Sequence, residues 1–138
     1  MEIELRIFVE WSYNKKRKKS KISDDDLRSV AAELIEEIKN GSTKAALGGG
    51  IFKKRLGDED SARTIVAYHH GDKLYFIDGW EKKEIPKNKR EIDDSDLKVF
   101  RQISKAAKAY TAEQVEKLEK NRIYVELPSI NQESKNED

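Results

Sequence analysis

Three strand-like segments follow one another between residues 51 and 79, and the connections between them are short. The segments cover residues 51–56, 63–70 and 73–79. His70-Gly71-Asp72 separates the last two and has the glycine-containing composition of a tight hairpin turn. Short connections favour antiparallel pairing of consecutive strands, because parallel strands need a long crossover. The pattern therefore predicts a three-stranded antiparallel meander.

Three helix caps, each followed by an apolar stripe, surround this meander. A Ser, Thr or Asp followed three residues later by an acidic or amide side chain is typical of a helix start. The capping pairs are Ser23 with Asp26, Asp93 with Asp96, and Thr111 with Gln114. The first cap begins a helix over about 24–39 that ends at Asn40-Gly41. Alternation predicts outer strands over 2–9 and 122–127.

These elements predict an α+β fold with an antiparallel sheet of four to five strands packed against helices. One domain over residues 1–127 accounts for all of them, and residues 128–138 form a polar tail that we expect to be disordered. Leu47-Gly48-Gly49-Gly50 is expected to be a flexible connection before the meander. The basic run over 15–19 is compatible with a short helix or a loop.

The composition limits the function classes that remain. The 28 Lys and Arg residues nearly balance the 27 Asp and Glu residues, so the net charge of +1 excludes a uniformly basic nucleic-acid coat but allows a basic patch. The absence of cysteine excludes a disulfide scaffold and a cysteine zinc site, and with two histidines we expect no metal or cofactor. No apolar run approaches the roughly 18 residues that span a bilayer, and we expect a cytoplasmic protein.

Cationic side chains are frequent at one end of the predicted meander. Because side chains alternate across a strand, Lys54 lies on the opposite face from its two neighbours. The residues that strand pairing would gather are Lys53, Arg55, Arg63 and Lys82 or Lys83. Such a cluster binds phosphate by electrostatics, and Trp80, Tyr68 or Tyr75 nearby could stack a base. The alternative is a set of solvated or edge-guarding charges, and composition alone does not decide between the two.

Two further basic runs either contact an RNA backbone or are solvated charges. They comprise Lys15, Lys16, Arg17, Lys18 and Lys19, and, after the meander, Lys87, Lys89 and Arg90. His69 and His70 lie about 20 Å from Arg63 along an extended strand, at about 3.3 Å per residue, so a structural role at the hairpin is favoured for both. Asp24-Asp25-Asp26 is interpreted as a helix N-terminus rather than a metal site.

Several short motifs occur in a fixed order along the chain. They are Ile22-Ser23-Asp24, Leu47-Gly48-Gly49-Gly50, Phe52-Lys53-Lys54-Arg55, Arg63-Thr64, Gly71-Asp72, Gly79-Trp80-Glu81-Lys82-Lys83-Glu84, Ile92-Asp93-Asp94 and the closing strand over 123–127. In this order and at this spacing they resemble the RelE/ParE superfamily of type II toxins, and within it a HigB-like branch. The resemblance covers about residues 5–127.

The resemblance implies a toxin of a toxin–antitoxin system that acts as a metal-independent endoribonuclease. Such an mRNA interferase cuts mRNA at the ribosomal A site by attack of a ribose 2′-hydroxyl on the adjacent phosphate, and so inhibits translation. By position it implies catalytic roles for Lys53, Arg55, Arg63, Lys82 and Lys83, with Arg63 favoured for stabilising the phosphate. It implies RNA contacts for Lys54, Trp80 and both basic runs, with Lys53 as a candidate proton acceptor. A cognate antitoxin of helix-turn-helix type is the implied partner, beside the ribosome and mRNA.

Two features depart from the family pattern. The loop over 57–62 is short and acidic, so its three carboxylates either repel RNA or pair with neighbouring cations. Residues 85–90 offer cations but no tyrosine. The alternative function is therefore a member of the same fold that does not cleave RNA. It would be a ParE-like inhibitor of DNA gyrase or an RNA-binding regulatory module.

Overall fold

The computed structural model describes residues 4–86 and 91–129, which form a mixed sheet with helices on both faces. The helices are α1 (Trp11–Lys19), α2 (Asp24–Lys39), α3 (Asp94–Ala109) and α4 (Ala112–Lys120). The strands are β1 (Arg6–Glu10), β2 (Ala46–Gly48), β3 (Ile51–Leu56), β4 (Ala62–Tyr68), β5 (Lys73–Glu81) and β6 (Tyr124–Glu126). Single 3₁₀ turns, Asp58–Asp60 and Lys82–Glu84, follow β3 and β5. The α+β prediction is confirmed.

The strand order in the sheet is β2-β3-β4-β5-β1-β6. β3, β4 and β5 pair antiparallel as the predicted meander. β1 pairs parallel with β5 and antiparallel with β6, so the sheet is mixed rather than wholly antiparallel. Alternation within a strand fixes which face is apolar but not the direction of its neighbour, and the long connection from β1 to β5 permits the parallel arrangement.

Each face of the sheet buries its own set of apolar side chains. On one face, Val66 and Phe76 belong to the cluster that contains Leu27 and Leu34 of α2. On the other face, Ile65 and Tyr75 belong to the cluster that contains Phe100 of α3 and Val115 of α4. The meander is therefore covered on both faces over most of its length.

The predicted caps at the starts of α2 and α4 are full capping boxes. At α2 the Asp26 N–H donates to the Ser23 hydroxyl at 3.0 Å and the Ser23 N–H donates to the Asp26 carboxylate at 2.9 Å. This confirms the helix-terminal interpretation of the aspartates there. The basic run over 15–19, for which the sequence left helix and loop open, lies in α1. The boundary at residue 127 stays a prediction, and residues 130–138 lie outside the described part of the chain.

The glycine run before β3 is a fixed turn rather than the flexible connection we expected. Gly48 ends β2, and Gly48, Gly49 and Gly50 all have positive φ, between +66° and +86°. The Ser104 hydroxyl donates to the Gly49 carbonyl at 2.8 Å, and His69 Nε2 lies 2.7 Å from that hydroxyl and 3.0 Å from the Ser104 carbonyl. Nε2 must therefore carry a proton. His69 ties the meander to α3, which is the structural role expected of it.

Candidate functional site

Strand register brings the predicted cations of the meander onto one face. Arg55 of β3 lies opposite Arg63 of β4, and Arg63 lies opposite Trp80 of β5. Lys53 occupies the neighbouring row, opposite Ile65. Ile65 and Trp80 belong to the core cluster beneath α3, so this row continues the same face of the sheet. The gathering of Lys53, Arg55 and Arg63 is confirmed.

These three cations differ in how firmly the protein holds them. Arg55 is exposed and makes no ion pair or hydrogen bond with its side chain among the described residues. The Arg63 side chain is buried, and its Nη1 donates to the Asp60 carbonyl at 2.7 Å and to the Ala62 carbonyl at 2.9 Å. Lys53 is part-exposed and pairs with Glu91 at 3.3 Å. Arg55 is therefore the cation most available to a ligand.

These side chains line a groove beside the free part of β3. Its volume is about 660 Å³, and its lining includes Lys53, Arg55 and Arg63 together with the acidic residues Asp60, Glu33 and Glu37. β2 pairs with only the first residues of β3, which leaves the remainder of β3 at the sheet edge. The groove is thus open along the row of cations, as a site for an extended anionic chain requires.

The cations after β5 reach the same end of the sheet. The Lys82 N–H donates to the Ser61 carbonyl at 2.8 Å, which places the 3₁₀ turn Lys82–Glu84 beside the loop between β3 and β4. Lys82 and Lys83 are exposed, and Lys83 pairs with Glu81 at 3.7 Å. Lys16 of α1 pairs with Glu84 at 3.8 Å and so joins this end of the sheet from the other side.

Three residues that we predicted to contact RNA are instead part of the folded interior. Lys54 points to the α2 face and pairs with Glu33 and Glu37. The Trp80 ring is 9% exposed and packs in the core, so it cannot stack a base there. Arg17 is 3% exposed, and its guanidinium donates to the Asn14 side chain, the Ile22 carbonyl and Asp24. Their expected contacts with RNA are corrected to structural roles.

The remaining cations of the basic runs have mixed positions. Lys15, Lys18 and Lys19 are exposed on α1, and their contact with RNA stays a prediction. Lys87, Lys89 and Arg90 lie outside the described residues. At the β3–β4 loop, Asp58, Glu59 and Asp60 are exposed and form no ion pair among the described residues. Of the two roles open to these carboxylates, the structure favours repulsion of an anion over pairing with neighbouring cations.

Asp78 is a candidate site residue that the sequence analysis missed. It lies on β5 opposite Ile65, two positions before Trp80, and its side chain is part-buried. Burial raises the pKa of the Asp78 carboxyl above its ordinary value, although the hydrogen bond from the Gly79 N–H opposes the rise. The register shift between Ile65 and Val66 interrupts the alternation, which is why counting along β5 does not show the placement of Asp78.

Replacing Asp78 by Asn is expected to raise the melting temperature at pH 7 by about 2 °C. Ionising this carboxyl costs more free energy in the folded chain than in the unfolded chain, so wild-type stability falls as the pH rises from the ordinary aspartate pKa towards the raised one. Thermal unfolding at pH 7 and pH 4 measures the effect, and the difference between the two proteins should shrink at pH 4. Asp58→Asn, at an exposed position, is the control. An equal rise in melting temperature for both variants would contradict the effect of burial on the Asp78 carboxyl.

The described residues contain no group of three His, Cys, Asp or Glu side chains that could hold a metal ion. Within the same residues, no helix is long and apolar enough to cross a membrane.

A comparison with family models shows the family to which the chain belongs. The model described as the RelE toxin of the RelE/RelB toxin–antitoxin system matches residues 5–127, which is most of the chain. The chain belongs to the RelE toxin family. No curated protein matches the sequence. As a member of the RelE family the chain is a toxin of a toxin–antitoxin system, and a cognate antitoxin is its partner.

Proposed function

We propose that this RelE-family toxin is a metal-independent endoribonuclease that cuts mRNA in the ribosomal A site, and that it belongs to a HigB-like branch. The observation that carries the proposal is the shared face of Lys53, Arg55 and Arg63, with a part-buried carboxylate, Asp78, in the adjoining row. RelE-family toxins are generally ribonucleases, which agrees with this arrangement.

The chemistry needs charge stabilisation and two proton movements. The 2′-oxygen of a ribose attacks the adjacent phosphorus and passes its proton to a base, a 2′,3′-cyclic phosphate forms, and the 5′-oxygen leaves with a proton from an acid. In this proposal Arg55 and Lys53, which share one face of β3, stabilise the charge that builds on the phosphoryl oxygens. Lys53 remains the sequence-based candidate for the base, and Asp78 and Glu91 are further candidates for proton transfer.

Arg63 has both a structural and an electrostatic part in this proposal. Nη1 is held by two carbonyls of its own loop, at Asp60 and Ala62. Among the described residues, the Nε and Nη2 donors have no hydrogen-bond partner, and Arg63 lies opposite Arg55 in the strand pair. A guanidinium fixed in this way costs little reorganisation when a phosphate binds. Loss of Arg63 therefore disturbs the loop as well as the charge, whereas loss of Arg55 removes charge alone.

The acidic loop forms no ion pair among the described residues, which agrees with a toxin that cuts RNA only when the ribosome presents it. Asp60 lines the cationic groove, and Asp58 and Glu59 precede it in the same exposed turn, so in this proposal their charges weaken the attraction of free RNA. Except for Lys16, which pairs with Glu84, the exposed lysines of α1 pair with no described carboxylate, and in this proposal they contact ribosomal RNA and compensate for that repulsion. A helix-turn-helix antitoxin completes the proposed system.

Induced expression with mapping of the 5′ ends of cellular mRNA tests the function. We expect growth arrest with new in-frame cuts for the wild type and for Lys105→Ala, an exposed cation of α3 away from the groove. We expect neither arrest nor cuts for Arg55→Ala. Growth arrest without cuts would contradict the nuclease and indicate a gyrase inhibitor. RNA binding without arrest would indicate the regulatory module.

A further inference from the structure

Trp11 lies at the surface with two cations over its ring. The indole is part-exposed at the first position of α1. The Lys15 ammonium lies 5.3 Å from the ring centroid, and the Arg122 guanidinium carbon lies 5.7 Å from it. Lys15 follows one helical turn after Trp11, whereas Arg122 comes from the turn between α4 and β6. Two separate elements thus place positive charge on one exposed aromatic ring.

The backbone at Arg122 shows that this position is unusual for an arginine. The Arg122 N–H donates to the Glu119 carbonyl and the Ile123 N–H to the Leu118 carbonyl, which is the Schellman pattern at the end of α4. Arg122 occupies the left-handed position of that motif with φ +59°, where glycine is preferred. Arg122 is therefore a position where the backbone is strained for an arginine and where the guanidinium lies over the Trp11 ring.

The charges around Trp11 favour an anionic ligand. Lys15 and Lys18 share the outer face of α1 with Trp11, because all three lie opposite the buried Tyr13 and Arg17 on the helical wheel. Neither lysine pairs with a carboxylate among the described residues. The nearby Glu10 carboxylate accepts the Ser12 and Tyr13 N–H groups at 2.8 and 3.0 Å, so it is engaged in capping α1.

We infer that Trp11, Lys15 and Arg122 form a second RNA-contact site, which takes an unstacked base on the indole and the flanking phosphates on the two cations. Every base has a π-face that an exposed aromatic ring can stack, whereas a carboxylate ligand makes no use of the ring. RNA is thus favoured over an acidic peptide. The inference deepens the proposed function and rests on it for the identity of the ligand. Lys16, on another side of α1, pairs with Glu84, so this helix lies beside the turn that follows β5.

Arg122→Gly tests this site without endangering the fold. The substitution removes the guanidinium and relieves the positive φ, so we expect an equal or higher melting temperature. The probe is a 12-nucleotide single-stranded RNA with 2′-O-methyl riboses, which the proposed nuclease cannot cut. We expect the Kd of Arg122→Gly to rise about 10-fold relative to wild type. Stacking should also quench the emission of Trp11, since Trp80, the other tryptophan, is buried.

Lys21→Gly is the matched control. Lys21 occupies the same left-handed position after α1, with φ +62°, and its removal deletes one exposed cation about 15 Å along the helix from Trp11. We expect a less than threefold change in Kd and retained quenching. Equal Kd values for wild type and Arg122→Gly would overturn the inference, as would tighter binding of an Asp-rich peptide than of RNA. Weaker binding by Arg122→Gly together with full cleavage by Arg55→Ala would refute the nuclease site while leaving this site supported.

Discussion

Replacing Arg55 by Ala is expected to lower the rate of mRNA cleavage on programmed ribosomes at least about 100-fold. Removing one donor that stabilises transition-state charge has an effect of this size in other enzymes. Arg55 is exposed and holds no other described residue in place, so the melting temperature should stay within about 1 °C of wild type. Single-turnover cleavage of a ribosome-bound message measures the rate, and thermal unfolding measures the fold.

Arg55→Lys separates charge from geometry. A lysine retains the positive charge but not the planar fork that contacts two phosphoryl oxygens at once, so we expect a rate between those of wild type and Arg55→Ala. Lys105→Ala serves as the surface control and should cleave at the wild-type rate. Cleavage by Arg55→Ala at the wild-type rate would contradict a catalytic role for the cations that share the face of β3 and β4.

Replacing Gly79 by Ala is expected to destabilise the protein by about 3 kcal/mol, which lowers the melting temperature by about 10 °C. A Cβ at this position would lie 2.5 Å from the Tyr13 ring and 2.7 Å from the Arg63 carbonyl. The carbonyl belongs to the backbone of β4 and cannot turn away, so α1 or the strand must shift. Thermal and denaturant unfolding measure the loss.

Gly71→Ala provides the comparison for Gly79→Ala. Gly71 lies in the β4–β5 hairpin, where a Cβ would meet no atom of the described residues within 4 Å, and it lacks the positive φ of the other turn glycines. Its replacement should change the free energy of unfolding by less than about 0.5 kcal/mol. Similar losses for both variants would mean that close packing at Gly79 is not what fixes α1 against the meander.

Much of the fold follows from local signals in the sequence. Alternation and short turns predict the meander, and Ser23 with Asp26 predicts the start of α2 at the residue where the structure has it. The parallel pairing of β1 with β5 could not be predicted in this way, since strand direction depends on the long connection between them. β2 has three residues and no alternation of its own, and it forms because the glycine turn folds it back on β3.

The sequence predicts only part of the candidate site. The shared face of Lys53 and Arg55 follows from alternation, and the same rule places Lys54 with Phe52 on the α2 face. Arg17 is one of five consecutive basic residues, so composition does not distinguish it from its neighbours. Its four-residue spacing from Tyr13 indicates that both side chains lie on the same face of α1, which is buried. The placement of Asp78 depends on a β-bulge, and no local sequence pattern predicts that bulge.

Cleavage of a defined message by the purified toxin tests whether a ribose 2′-hydroxyl is the nucleophile. Ribosomes are loaded with a message whose A-site codon carries either ordinary riboses or a single 2′-O-methyl group, and the products are analysed for their new ends. We expect a 2′,3′-cyclic phosphate from the ordinary message and no cut at the methylated position. Cleavage of both messages, or of neither, would contradict the proposed attack by the 2′-hydroxyl at the cationic row.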